Sequence, residues 1–272
     1  MNTKLFDSHA HYFDKRFDNE HEGGADDILN DILYGTSCVG RIINVGTNMD
    51  NSMSAIAQAV KYPEVYAAIG IHPEDCLSLE NMDSQIKRLL HLLKSRKENK
   101  IVAIGEIGLD YHYLSGENVV GSKEKQMQYF VAQLDIADSM GLPVIIHDRE
   151  AHGDCFDTVR KYDGLRGVFH SYSGSAEMAS QLCRYGWYIS FSGTVTFKNA
   201  QKVKEAVAVV PSDRILIETD APYLAPHPFR GKLNNSALMI NTASVIADIL
   251  NTNVENIIDM TYNNACKLFE IN

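Results

Sequence analysis

The sequence predicts an α/β protein, a (β/α)8 TIM barrel with a metal site at the C-terminal ends of its strands. Three observations predict it. Short, β-branched apolar runs alternate with longer amphipathic stretches along the whole chain. The runs are almost continuously apolar, as expected of strands buried on both faces of a parallel sheet. Polar clusters of histidine and carboxylate follow directly after six of these runs. A chain of 272 residues suits one such barrel, so residues 1–272 are read as a single domain.

Taken in order, the strands start at Leu5-Phe6, Arg41–Val45, Val65–Ile69 and Ile101–Ile104. They continue at Val144–Ile146, Gly167–Phe169, Trp187–Ile189 and Ile215–Ile217, making eight. Helices fall between them. Met127, Phe130, Val131, Leu134 and Met140 keep three- and four-residue spacing, and Gly141 can end that helix in a left-handed cap. Ile86, Leu89, Leu90 and Leu93 repeat the pattern. The last part, Ser236 to Phe269, reads as helix packed outside the barrel. Three irregular segments, Asp14–Gly24, Tyr113–Gly121 and Ala225–Asn235, each follow a polar cluster, where loops over a barrel mouth would lie.

Composition narrows the function classes. Apolar residues at 45% and charged residues at 22% are ordinary for a soluble globular protein. No apolar run is long enough to span a bilayer, and no signal peptide is visible. The five cysteines are scattered and never spaced C-x-x-C, which reads as reduced thiols in a cytoplasmic protein. A net charge of −10 argues against a basic nucleic-acid wrapper. It does not exclude a nuclease, because bound cations supply positive charge where the chemistry occurs.

The chemistry gathers at the predicted strand ends. Strand one runs into Asp7-Ser8-His9-Ala10-His11, where alternation aims both imidazoles at one point. Strand three ends in Gly70-Ile71-His72-Pro73, strand four in Gly105-Glu106 through Asp110, and strand five in His147-Asp148-Arg149. Strand six ends in His170-Ser171-Tyr172-Ser173-Gly174 and strand eight in Glu218-Thr219-Asp220. Singly, each has a plain reading: His147 or His170 as a core histidine, Glu106 as a solvated carboxylate, Asp220 as a helix cap, Asp7 as a residue orienting a neighbouring imidazole. Jointly, burying four histidines and two acids around one mouth is costly unless they coordinate cations. Imidazole and carboxylate without thiolate suit zinc, manganese or magnesium. Six ligands exceed the needs of one cation with an open position and fit two cations. Glu106, central in strand order, is the natural bridge. A pair of cations about 3.5–4 Å apart activates a water for attack on phosphorus or a carbonyl carbon.

With these motifs in place, the sequence resembles the TatD family of metal-dependent hydrolases over nearly its whole length. The likeness rests on Asp7–His11, Gly70–Pro73, Gly105–His112, Gln126 with Phe130 and Gln133-Leu134, and Leu142–His147 with Arg149-Glu150-Ala151. It continues through His170–Gly174, Ser190–Gly193 and Glu218–Leu224. The resemblance implies a TIM barrel, two divalent metal ions (Mg, Mn or Zn) and phosphodiester hydrolysis. By position it implies His9, His11, Glu106 and Asp220 around one metal, and Glu106, His147 and His170 around the second. It places His72 beside the substrate phosphate and gives Asp220 the task of orienting or deprotonating the attacking water. The sequence departs from the family at Arg230-Gly231-Lys232-Leu233-Asn234-Asn235-Ser236, where an arginine and a glutamate of the usual Arg-Gly-Lys-Arg-Asn-Glu-Pro are absent. It also carries Ser171-Tyr172 where Cys-Phe is common.

The leading expectation is a deoxyribonuclease working from the 3′ end of single-stranded DNA, with Arg149, Lys198 and Arg230 touching flanking phosphates. The same metal shell also fits an ester or amide hydrolase, such as a D-aminoacyl-tRNA deacylase. A non-catalytic scaffold is disfavoured because no metal residue is missing. Partners reduce to the DNA substrate, or RNA or aminoacyl-tRNA in its place, with no membrane and no obligate protein partner.

Overall fold

The computed structural model describes residues 4–20, 22–116 and 118–272. Its eight strands are β1 (Leu5–Ala10), β2 (Val39–Val45), β3 (Val65–Ile69), β4 (Ile101–Asp110), β5 (Val144–Arg149), β6 (Gly167–Phe169), β7 (Tyr188–Phe191) and β8 (Ile215–Ile217). The α-helices up to β4 are α1 (Arg16–Glu20), α2 (Gly24–Tyr34), α3 (Met49–Lys61), α4 (Pro73–Ser78) and α5 (Met82–Leu93). After β4 come α6 (Val119–Met140), α7 (His152–Val159), α8 (Ala176–Arg184), α9 (Gln201–Val209), α10 (Met239–Ile249) and α11 (Val254–Phe269). The strands pair in parallel in the order β1 to β8. The ring closes where the segment after β8 returns to β1, through an Ala10–Ala221 bridge. Across it, His11 N donates to Ala221 O at 2.7 Å and Asp220 N to His9 O at 2.9 Å.

Every strand sends an apolar side chain inward. Phe6, Val45, Ala68, Ala103, Ile145, Val168, Tyr188 and Leu216 meet in one interior cluster. Small alanines on β3 and β4 leave room for the rings of Phe6 and Tyr188, so the cylinder is a packed core and not a pore. A second, larger cluster fills the layer between strands and helices. The C-terminal segment goes further than sequence periodicity indicated. Ala265, Leu268 and Phe269 of α11, with Ile271, join the interior cluster. The end of α11 therefore stoppers the barrel and does not merely pack on its outside.

Strands β3, β6 and β8 coincide with the apolar runs that announce them, and the other five run longer. β1, β4 and β5 continue through His9, Glu106, Asp110 and His147, because pairing with neighbouring strands extends the ladder into polar residues. Gly108 allows this at one tight point: its φ is +146°, and a Cβ there would collide with the His147 carbonyl oxygen. Helix α6 then fixes the mouth. Its buried Gln126 accepts from Asp110 N at 2.9 Å and donates to Asp110 O at 2.8 Å. Gln133 does the same for Ile71, at 2.7 and 3.1 Å. Gly141, at φ +63°, caps α6 in the left-handed conformation, as its position predicts. Of the three irregular segments, the first contains the short helix α1; residues 21 and 117 of the first two lie outside the described residues. Among the described residues no helix is long and apolar enough to cross a membrane.

Candidate metal centre

β1 delivers His9, and the residue just past its end is His11; their Nε2 atoms lie 3.1 Å apart, as alternation predicts. β4 delivers Glu106, which is 3% exposed, between them and the histidines of the next strands. The two oxygens of this carboxylate face different partners. Oε2 lies 3.4 Å from His9 Nε2 and 3.7 Å from His11 Nε2. Oε1 lies 2.6 Å from His147 Nδ1 and 2.8 Å from His170 Nε2. Asp220 completes the first group, with Oδ1 3.3 Å from His11 Nε2 and 3.7 Å from His9 Nε2. It sits in the turn after β8 at φ +59°, a conformation costly for a non-glycine residue and one that concentrates at functional sites. All six residues proposed from sequence as metal ligands thus converge on one mouth.

The outer nitrogen of each ring shows which nitrogen is left for a cation. His11 Nδ1 lies 2.6 Å from Val45 O, which only accepts, so that nitrogen carries the proton and Nε2 keeps its lone pair. His170 Nδ1 faces Glu218 Oε1 at 3.2 Å, which frees Nε2. His147 is reversed: its Nε2 faces Asp110 Oδ2 at 2.9 Å, which frees Nδ1. In all three, the freed nitrogen is the one aimed at Glu106. Such carboxylate- and carbonyl-backed imidazoles are typical of metal ligands. The donor set therefore fits divalent cations on both sides of Glu106.

His72 differs. Its Nδ1 accepts from Glu74 N at 3.2 Å at the start of α4, so in the neutral ring the proton sits on Nε2. That nitrogen faces Glu106 Oε1 at 3.5 Å. Distance alone groups His72 with Glu106 and His147 as a possible metal cluster. The tautomer argues against ligation and makes Nε2 a hydrogen-bond donor.

Electrostatics follow from this crowding. Burial would raise the Glu106 carboxyl, but the charges of His170, His72 and His9 and the His147 hydrogen bond hold it well below the usual range. Burial would lower His147, but its hydrogen bonds to Asp110 and Glu106 push it up to about 9. Burial and the neighbouring His170 pull His9 down. Burial would raise Asp220, yet the His11 hydrogen bond and the charges of His9 and His11 keep it ionised.

A cavity of about 380 Å³ opens beside the second group, lined among others by His147, Arg149, His170, Ser171, Thr194 and Asp220. Of the three cations expected to meet substrate, Arg149 lines it and stacks 4.8 Å from the Tyr113 ring. Lys198 and Arg230 are exposed and do not line it; Arg230 instead lies 4.6 Å over Phe197. Asp7 is buried but faces no imidazole. It accepts from His9 N, from Thr219 N and Oγ1, and from Ser236 Oγ, strapping β1 to the turn after β8. Burial pushes its carboxyl up to about 7. Sequence reasoning missed Asp110 and Glu218. Both lie within the quoted motifs, but a carboxylate behind a ligand leaves no spacing signal of its own.

Comparison with known proteins agrees with this geometry. Residues 6–270 match the family described as TatD related DNase. An uncharacterized metal-dependent hydrolase of Bacillus subtilis, YabD, is 38% identical over 273 residues, covering 98% of this chain and 100% of that protein. An uncharacterized metal-dependent hydrolase of Escherichia coli, YcfH, is 33% identical over 269 residues, covering 98% and 96%. Among solved structures, the Escherichia coli TatD homolog YjjV superposes over 100% of both chains with a TM-score of 0.86 at 29% identity. A TatD family hydrolase of Entamoeba histolytica shares the fold, with a TM-score of 0.83 over 98% of both chains at 22% identity.

Proposed function

This chain belongs to the TatD-related DNase family of metal-dependent hydrolases, and from that premise we propose that it cleaves DNA phosphodiesters, taking nucleotides from the 3′ end of single strands. The observation that carries the reading is the division of Glu106: one oxygen toward His9 and His11, the other toward His147 and His170. One carboxylate placed in this way suits a bridge between two cations. In this reading His9, His11, Glu106 and Asp220 hold one, and Glu106, His147 and His170 the other. When bound, such a pair supplies positive charge to the phosphate and acidifies a water at neutral pH.

The chain's own groups do the rest. Asp220, ionised and at the edge of the cavity, orients the water and takes its proton. The water oxygen bonds to phosphorus as the bond from phosphorus to the departing sugar oxygen breaks; that oxygen takes a proton from solvent. His72 donates from Nε2–H to a phosphate oxygen, where charge builds up in the transition state. Arg149 steadies a flanking phosphate, and the cavity, of about 380 Å³, is the size of a small-ligand site. Lys198 and Arg230 would serve only a longer strand reaching beyond the cavity.

The test is hydrolysis of single-stranded DNA labelled at either end, with Mg²⁺ or Mn²⁺ and a chelator control. Early loss of the 3′ label, abolished by the chelator, is expected. No release from DNA, with release from D-aminoacyl-tRNA, would overturn the nuclease reading and select carbonyl chemistry at the same centre.

A further inference from the structure

We propose that Glu218 is a positioning residue shared by the two cation sites: it orients His170 with one oxygen and His9 with the other, so that neither site is independent of it. The inference rests on the two-site reading above. Glu218 follows β8 directly and is fully buried. Its Oε1 accepts from Ser171 N at 2.8 Å and faces His170 Nδ1 at 3.2 Å. Among the described residues, its Oε2 is buried without a partner. His9 Nδ1 likewise is buried with no partner among them.

The two residues that carry these open atoms belong to one cluster. The His9 and His170 rings stack with centroids 4.1 Å apart and planes 14° apart. A nitrogen of each ring and a Glu218 oxygen lie within 4.8 Å of one another. His9 Nε2 already faces His11, Glu106 and Asp220. Its Nδ1 must then carry the proton when Nε2 ligates, which makes it a donor lacking an acceptor. Glu218 Oε2 is an acceptor lacking a donor. Leaving both unmade in a buried site is expensive, and a small ring adjustment on cation loading pairs them.

The other imidazoles have separate supports. Asp110 backs His147, and the Val45 carbonyl backs His11. Glu218 alone among these three groups would serve a histidine on each side of Glu106. Loss of its charge would therefore weaken both sites, whereas loss of the Asp110 charge would weaken one.

The experiment titrates Mn²⁺ into the metal-free full chain, with free Mn²⁺ read by electron paramagnetic resonance and each site by anomalous scattering from crystals. Glu218→Gln is compared with Asp110→Asn. Affinity should fall about 10- to 100-fold at both sites in Glu218→Gln, and at the His147 site alone in Asp110→Asn. A merely structural role would not produce this one-site against two-site contrast. Wild-type affinities in Glu218→Gln, or loss at the His170 site alone, overturn the proposal. A wild-type chain that binds fewer than two Mn²⁺ at these residues overturns the two-site reading and the proposal together. The unaltered chain gives a second measurement that needs no variant. In its Zn²⁺-loaded form the His9 Nδ1–H proton should resonate as far downfield as that of His170, the mark of a carboxylate acceptor. A His9 signal like that of carbonyl-bonded His11 overturns the assignment.

Discussion

Glu106→Gln is the sharpest test of the centre. The substitution keeps shape and volume, so it opens no cavity in a residue only 3% exposed. It replaces one carboxylate oxygen by an amide nitrogen that neither accepts nor ligates, and it removes the charge. Glu106 lies within 2.6 to 3.7 Å of His147, His170, His9 and His11, so the loss is felt on both sides at once. Removing one partner from a buried charged cluster costs about 3–5 kcal/mol. At 1.4 kcal/mol per tenfold, each cation should bind roughly 100- to 4,000-fold more weakly. Equilibrium dialysis against Mn²⁺ measures that directly, with phosphodiester hydrolysis falling alongside. A thermal melt checks that the barrel, whose interior cluster lies elsewhere, is intact. If the variant holds two Mn²⁺ at wild-type affinity and keeps wild-type turnover, Glu106 is not the bridge and the reasoning fails.

His72→Ala should leave both cations bound and lower turnover about 10²- to 10³-fold, the usual loss for one transition-state donor; unchanged kcat would make His72 a helix cap only. The metal-free protein should lose stability as pH rises. His147 is raised from 6.5 to about 9 in the fold, so its contribution is complete below pH 6.5 and gone above about 9. Melts in chelator from pH 6 to 10 check this, and calorimetry should show protons released on Mn²⁺ binding near neutral pH; a flat melting profile refutes the assignment. Gly108→Ala should cost more than about 3 kcal/mol in urea unfolding, because its φ of +146° and the His147 carbonyl leave no place for a methyl group. A loss below about 1 kcal/mol would show that β4 and β5 can shift there.

Much of this was legible in the sequence for a physical reason. Strands buried on both faces carry unbroken apolar runs, and all eight observed strands overlap the runs read from sequence. Histidines and acids just past such runs reach the mouth because a parallel barrel points every strand the same way. What was hidden depended on partners distant in the chain. Asp110 looks like the end of a strand until His147 is seen beside it, and Glu218 looks like a companion of Asp220 until His170 is. The apolar run of strand four stops at Ile104, and pairing, not hydropathy, carries β4 on to Asp110. Lys198 and Arg230 sit on the expected loops, but neither lines the cavity. The seating of Phe269 inside the barrel follows from the path of α11, which no helical periodicity encodes.

A cylinder rolled from a ribbon needs a weld, and here the weld coincides with the chemistry. Asp7 and Thr219, whose side chains touch across it, stand 212 positions apart in the chain. His9 and His11 lie on one lip, Asp220 on the other. An ion gripped by all three would act as a rivet, and a rivet closing so large a ring removes much freedom from the unfolded chain. Stripping the ion should slacken this seam before any other, so hydrogen exchange in chelator should quicken first at residues 9–11 and 219–221. Loss of metal would then silence the enzyme twice over, by taking the reagent and by loosening the vessel.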